Sequence, residues 1–349
     1  MALVLSKFKN INLNDPFFDS LKNNYKEFSQ WFAKKAEDSA YVFFNETKTI
    51  DGFLYLKVEN GAIEDVDPVL PAALRLKVGT LKINAHGTKL GERFIKKIFD
   101  HAVYSQVSEV YLTVFAEHAP LITLLERYGF NKSGEKTTTN GTELVYLRKI
   151  YSPYNDVVKS YPLVNLRDRS AYLLALKPQW HTRLLPDSIL KTENSNIVED
   201  ISHTNSIHKV YLTAMKGIES LRRGDVLLIY RTSDGQGAAF YRSVATSIGV
   251  VEDYQNISSF ASREEFMAYC RPRSVFSEAE LSSFWATKRY PHVFRFTYNI
   301  ALTRRLNRAA LIEEVGLNPG AYWGFLRLSK GQFIKIAKQG LVNENLIVD

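Results

Sequence analysis

Residues 81–103 read LKINAHGTKLGERFIKKIFDHAV, and the fold follows from how this stretch changes character along its length. A short apolar run ends at Ile83, the chain breaks at Asn84, and a turn follows with Gly87 and Gly91. Beyond it Leu90, Phe94, Ile95, Ile98, Ala102 and Val103 recur at three- and four-residue spacing, the period of an amphipathic helix rather than a strand. A strand, a glycine-containing turn and a helix N-terminus together make an anion-binding geometry. The first amides of a helix lack partners and its macrodipole is positive there, while glycine lets the backbone come close to a ligand. Neither GxxxxGK[ST] nor GxGxxG is present, so the Walker and dinucleotide-binding loops are excluded.

Residues 107–115, VSEVYLTVF, alternate like a strand, and 119–130, APLITLLERYGF, predict a short helix ending at Gly129. These two stretches, in this order, resemble the GNAT acetyltransferase superfamily. Its pyrophosphate loop reads roughly RGxGxG, and here the positions are His86, Gly87, Thr88, Lys89, Leu90 and Gly91. Two of three glycines match, with His86 at the usual Arg or Gln and Lys89 at the middle glycine. The second pattern, NxxAxxLYExxGF, is matched by Leu124, Glu126, Gly129 and Phe130, with His118 at the Asn, Leu121 at the Ala and Leu125 where many members carry a tyrosine general acid.

The resemblance implies acetyl-CoA as cofactor. It would be held by backbone groups of a bulged strand at Leu81, Lys82 and Ile83 and by the loop His86, Gly87, Thr88, Lys89, Leu90 and Gly91. An amine would attack the thioester, with Glu117 or His118 beyond the strand end as base; a histidine titrates near neutrality, and His118 can equally brace the strand-to-helix corner. Tyr128, three residues after Leu125, either supplies the missing acid or packs.

The chain of 349 residues is long enough for two cores, and its 45% hydrophobic and 23% charged residues belong to a globular protein. The N-terminus MALVLSKFKN lacks an apolar stretch of signal-peptide length and no run approaches a membrane span, so a cytoplasmic protein is expected. A single cysteine, Cys270, excludes an internal disulfide and a multi-cysteine metal site, and His203 and His208 lack carboxylate company; no metal is expected. Residues 1–150 carry 20 basic and 18 acidic side chains (+2), residues 151–349 carry 25 and 19 (+6), and sixteen of the twenty arginines lie in the second part. Arginine suits phosphate and base-edge contacts, so this asymmetry points to nucleic acid while remaining compatible with a solvated basic surface.

Along the first part, Phe17, Leu21, Tyr25, Phe28 and Phe32 predict a helix over 16–35 capped near Asp15, followed by a hairpin of 41–44 with 52–58 and a strand at 74–83. Asn140-Gly141 predicts a late hairpin turn with a closing strand at 142–149. The second part begins after a connection over 151–169. A strand ending at Leu176 breaks at Pro178, RRGD at 222–225 turns into the buried strand VLLIY, and strands are expected at 243–254 and 292–298. Helices are expected at 262–270, after a cap at Ser277, and at 303–315 and 329–339.

Arg222-Arg223-Gly224-Asp225 with VLLIYR behind it, and Ile248 to Glu252, give this half a resemblance to the PUA-like superfamily, including ASCH and EVE domains, which bind RNA or modified DNA bases. The implied fold class is α/β (α+β): a GNAT domain over 1–150 with a mixed, centrally antiparallel sheet flanked by helices, and a PUA-like β-barrel with helices over 170–349. Candidate nucleic-acid contacts are Trp180, Tyr211, Tyr230 and Trp285 for stacking, Arg231 and Arg273 for phosphates, and Lys209; His181 beside Arg183 either catalyses, binds phosphate or braces its loop. The expected function is acetyl-CoA-dependent N-acetyl transfer with nucleic acid (RNA or modified DNA) as partner. The alternatives are a non-catalytic nucleic-acid sensor and a small-molecule acetyltransferase.

Overall fold

The computed structural model describes residues 2–84, 89–185 and 206–349. The chain divides into two units, Met1–Ser152 and Pro153–Asp349.

The first unit contains strands β1 (Ala2–Lys7), β2 (Ser39–Phe44), β3 (Ile50–Ile63), β4 (Leu70–Ile83), β5 (Glu109–Val114), β6 (Asn131–Thr138) and β7 (Gly141–Lys149). Its helices are α1 (Asp19–Asn24), α2 (Phe28–Lys34), α3 (Leu90–Tyr104) and α4 (Ala119–Arg127). The sheet order is β1-β2-β3-β4-β5-β7-β6, antiparallel throughout except for the β4–β5 pair. That one parallel pair follows from α3 crossing between the two strands. The N-terminal aromatics Phe8, Phe18, Phe32 and Phe53 form a core of edge-on and tilted rings on one side. The helix expected over 16–35 is interrupted: α1 ends at Asn24, Tyr25 is extended, and α2 starts at Phe28. At the break Tyr25 packs against this core and its hydroxyl reaches Glu143, 118 residues away.

The second unit contains α5 (Val157–Ser160), β8 (Val164–Asn165), β9 (Ala171–Leu176), α6 (Pro178–Leu184), β10 (His208–Thr213), β11 (Val226–Arg231), α7 (Ala239–Arg242), β12 (Val244–Asn256), α8 (Arg263–Cys270), α9 (Glu278–Thr287), β13 (His292–Asn307), α10 (Arg308–Glu313), β14 (Phe325–Leu328), α11 (Lys330–Gln339) and β15 (Ile347–Val348). Six strands form one sheet in the order β10-β13-β12-β11-β9-β14, and among the described residues its end strands do not pair with each other. Residues expected as a connection are built into this unit. Tyr161, Leu163, Val164 and Leu166 are buried, and β8 pairs with β15 at the chain's end. The helix expected over 303–315 begins only at Arg308, because residues 301–307 continue β13 and pair with Val244–Ser247 of β12. Ser277 caps α9 in a reciprocal capping box with Glu280. Among the described residues no helix is long and apolar enough to cross a membrane.

Candidate functional site

The first unit's sheet has a defect at its centre. β4 and β5 pair over only three residues, Arg75–Lys77 against Glu109–Tyr111. The paired end is clamped: buried Arg75 donates through Nε to Glu109 (2.7 Å) and through Nη1 to the carbonyl of Gly61 (3.2 Å), and Tyr111 Oη donates to Glu59 (2.5 Å). Just beyond Lys77 the register of β4 against β3 slips, Leu56 facing Val78 and Tyr55 facing Thr80, so Gly79 is the extra residue of a bulge. A bulge bends its strand and increases its twist. A side chain at Gly79 would stand 2.7 Å from the Tyr55 ring, so the bulge needs glycine. Beyond it β4 runs on to Ile83, paired with β3 on one side and, among the described residues, with no strand on the other. The expected bulge at Leu81–Ile83 therefore sits two residues earlier; an isolated glycine inside a strand was the signal for it.

Leu81, Lys82 and Ile83 line this free edge, half-exposed. The Lys82 ammonium is tied to the Phe17 carbonyl and the Ser20 hydroxyl and lies 4.8 Å from the Phe17 ring; burial pulls its pKa down. His86, Gly87 and Thr88 lie outside the described residues. Lys89 is the N-cap of α3, and the first bond into the helix runs from Arg93 N–H to the Lys89 carbonyl, with the amides of Leu90 and Gly91 ahead of it in the first turn. Gly91 also has a packing duty: a side chain there would stand 2.8 Å from Leu124 of α4. Glu92, a buried first-turn carboxylate, lies 3.8 Å from Arg127.

At the C-terminal end of β5, Glu117 and His118 are exposed, His118 as the N-cap of α4. Glu117 belongs to a constellation missed in sequence. Tyr25 Oη donates to buried Glu143 (2.7 Å), its ring sits 5.5 Å from Phe115, and the neighbouring Glu27 is held by the Asn140 side-chain amide (2.9 and 3.0 Å). Burial first, then Glu143, Glu27 and Glu117, drive the Tyr25 pKa far up, so this phenol stays protonated. Only the interrupted helix and the hairpin turn at Asn140-Gly141 bring these groups together, and no local pattern announces them. Tyr128 and Leu125, by contrast, are both fully buried, at the C-cap and last turn of α4. Packing is the role this placement gives Tyr128.

No family model and no curated protein matches the chain. Among solved structures, the NatC complex bound to Gag peptide and CoA is similar over 43% of this chain and 99% of its own, at 16% identity and a TM-score of 0.30. Arabidopsis thaliana NAA60 in complex with acetyl-CoA is similar over 43% and 100%, at 16% identity and 0.31. A mutant ASCH protein from Zymomonas mobilis is similar over 49% and 96%, at 11% identity and 0.32. Scores this low carry no weight for activity or ligand.

In the second unit, the residues expected to meet nucleic acid are mostly interior. Tyr211 and Tyr230 are buried in the core, Tyr211 against Phe276 and Phe294 and Tyr230 against Trp323. Lys209 and Arg231 are buried, and Arg273 is half-buried. Trp180 is half-buried against Phe276, with the Arg183 guanidinium 5.5 Å from its ring. His181 is fully buried, its Nε2 2.8 Å from the Thr246 hydroxyl and its Nδ1 without a partner among the described residues. Burial first, then Arg231 and Arg305, push its pKa down to about 3, so it is neutral in physiological buffer and serves no phosphate. Cys270 is buried and burial pushes its thiol up, away from reactivity. Alternating strands put large aromatics inside a small sheet, so an aromatic in a strand pattern is first of all core.

Proposed function

We propose that the first unit is an acetyl-CoA-dependent N-acetyltransferase acting on a cationic amine. The observation that carries this reading is the free edge of β4 beyond Lys77, running beside the N-terminal amides of α3. Unpaired strand groups match the amides of an extended pantetheine chain, and helix-start amides match a pyrophosphate. Bound acetyl-CoA supplies an activated thioester carbonyl. The chain's own residues supply alignment and a proton path. The carboxylates of Glu117, Glu27 and Glu143 gather at the end of β5, where they attract an ammonium, and exposed Glu117 can take its proton. Tyr25, held protonated, fixes Glu143 and keeps that carboxylate in place. We further infer that the second unit, with 25 basic against 19 acidic side chains over 151–349, recruits a nucleic acid.

A second reading, acetyl-CoA binding without turnover, is favoured by one observation: Leu125 and Tyr128 are both sealed in the core, which leaves no phenol on α4 to protonate a departing thiolate.

Titration of acetyl-CoA into the full chain, beside Gly87→Glu, tests the proposal. Binding on the order of micromolar is expected, weakened at least about tenfold when a carboxylate enters the anion loop. No measurable binding by the unaltered protein sinks both readings. Binding without transfer of labelled acetyl to any polyamine, peptide or tRNA leaves the non-catalytic one.

A further inference from the structure

The turn Arg222-Arg223-Gly224-Asp225 is the most tightly built corner of the second unit. Gly224 has φ +92°, a left-handed conformation that suits glycine. Asp225 accepts from the backbone amides of Arg222 (2.8 Å) and Ser170 (3.1 Å), which pins the turn to the start of β9. Beside the turn lies a cavity of about 380 Å³ lined by Arg222, Arg223, Glu252, Tyr254 and Arg295 among others. The predicted nucleic-acid residues do not line it.

All three guanidinium groups are held from behind. Arg222 Nη1 donates to the carbonyls of Glu219 (3.0 Å) and Leu221 (2.9 Å). Arg223 donates to the Glu252 carbonyl (2.7 Å) and to Asp156 (2.7 Å). Arg295 lies over the Tyr269 ring at 5.2 Å, its Nε 3.1 Å from Glu252 but poorly aligned for a hydrogen bond. A guanidinium has five N–H donors, so each arginine keeps donors for a ligand.

The acidic groups here are already engaged. Buried Glu252 contacts His208 Nδ1; burial alone would raise its pKa, but His208, Arg295 and Arg273 outweigh that and hold it ionised below the usual carboxylate range. Asp253 accepts from Tyr269 Oη (2.9 Å) and the Gln255 amide (3.3 Å). The cavity therefore presents fixed, partly used guanidinium donors beside carboxylates that are already hydrogen-bonded. Tyr254 forms a wall, its hydroxyl tied to His292 at 2.8 Å.

We infer that this cavity binds the phosphate group of a nucleotide, Arg222, Arg223 and Arg295 holding the oxyanion and Tyr254 offering a ring to the base. Fixed guanidinium forks match phosphate oxygens at little entropic cost, and the volume lies in the range of small-molecule sites. The site stands whether or not the first unit transfers acetyl groups. The same chemistry is offered by a free nucleotide and by one residue of a strand.

The test titrates the full chain with uridine, uridine 5′-monophosphate and a fluorescein-labelled single-stranded RNA decamer, with acetyl-CoA left out so that the first unit contributes nothing. The phosphate should improve affinity at least about tenfold over uridine, or the decamer should bind where the mononucleotide does not; the first result names a free nucleotide as ligand, the second a strand. Arg222→Gln and Arg223→Gln should each weaken the phosphate-bearing ligand about fivefold or more and leave uridine unchanged. Both side chains are exposed, so the melting temperature should hold and separates lost contact from lost fold. Equal binding of uridine and its monophosphate with no decamer binding, or Arg222→Gln/Arg223→Gln binding as the unaltered protein does, overturns the inference.

Discussion

The seven-stranded sheet of the first unit is organised around a gap, and the six-stranded sheet of the second around a filled interior. In the first, a clamp at Arg75–Glu109 and a bulge at Gly79 force neighbouring strands apart, so backbone groups in the middle of the sheet face outward. In the second, β9 to β13 pack aromatic and aliphatic side chains on both faces, and the polar groups that remain inside are paired, as Glu252 is, or neutral, as His181 is. One unit exposes backbone where chemistry is expected; the other gathers arginines around a cavity at the corner where a turn is tied down. Position in the fold, more than residue type, decides which polar groups are available.

The contrast breaks first at Glu252. Its carboxylate is 3% exposed and answers His208 and Arg295. Glu252→Leu would leave buried His208 and half-buried Arg295 uncompensated, and a loss of about 3 kcal/mol is expected in chemical denaturation. A change below about 1 kcal/mol would mean that water reaches this network and that the second unit is less filled than described.

Gly91→Val sharpens the other side. A side chain in the first turn of α3 would press on Leu124 at 2.8 Å, and overpacking of this kind costs about 1–3 kcal/mol. If Gly91 serves packing, acetyl-CoA affinity should fall only as far as the unfolded fraction rises. Tighter loss than that in a still-folded variant would make the glycine a ligand-approach residue as well.

How much of this was legible in sequence depends on whether the deciding contact is local. The helix over Leu90–Tyr104, the hairpin at Asn140-Gly141 and the Ser277 cap each satisfy their backbone groups within a few residues, and each stands where the pattern predicts. Residues 303–307 were misread as helix because cross-strand pairing with β12 outweighs an ambiguous local pattern. The break between α1 and α2, the bulge at Gly79 and the Tyr25–Glu143 contact are set by partners distant in sequence. Tyr211 and Tyr230 show the converse, residue types suited to stacking on bases that stand in strands buried on both faces.

The acid response of the second unit gives a smaller, directional effect. His181 has a folded pKa of about 3 against an unfolded value of 6.5, so unfolding takes up a proton between those values. Its contribution is complete above pH 6.5 and is lost as pH falls toward 3, amounting to about 2 kcal/mol at pH 5. The denaturation midpoint should therefore decline from pH 7.5 to 5 more steeply in the unaltered protein than in His181→Gln. Parallel slopes would mean that His181 already takes a proton in the folded state.

Tyr25→Phe is expected to have the smallest effect on stability and a telling one on function. It removes one hydrogen bond at 2.7 Å to Glu143, worth about 1 kcal/mol, and leaves the ring on Phe115 in place. If Glu143 helps hold a cationic amine, KM for the amine should rise in Tyr25→Phe while acetyl-CoA affinity stays unchanged, because the carboxylate loses the donor that fixes it. A variant with normal KM would reduce the pair to a brace between the α1–α2 break and β7. The gap between β4 and β5 would then keep its proposed role in holding the cofactor, and the choice of acceptor would have to lie with Glu117 and its exposed neighbours.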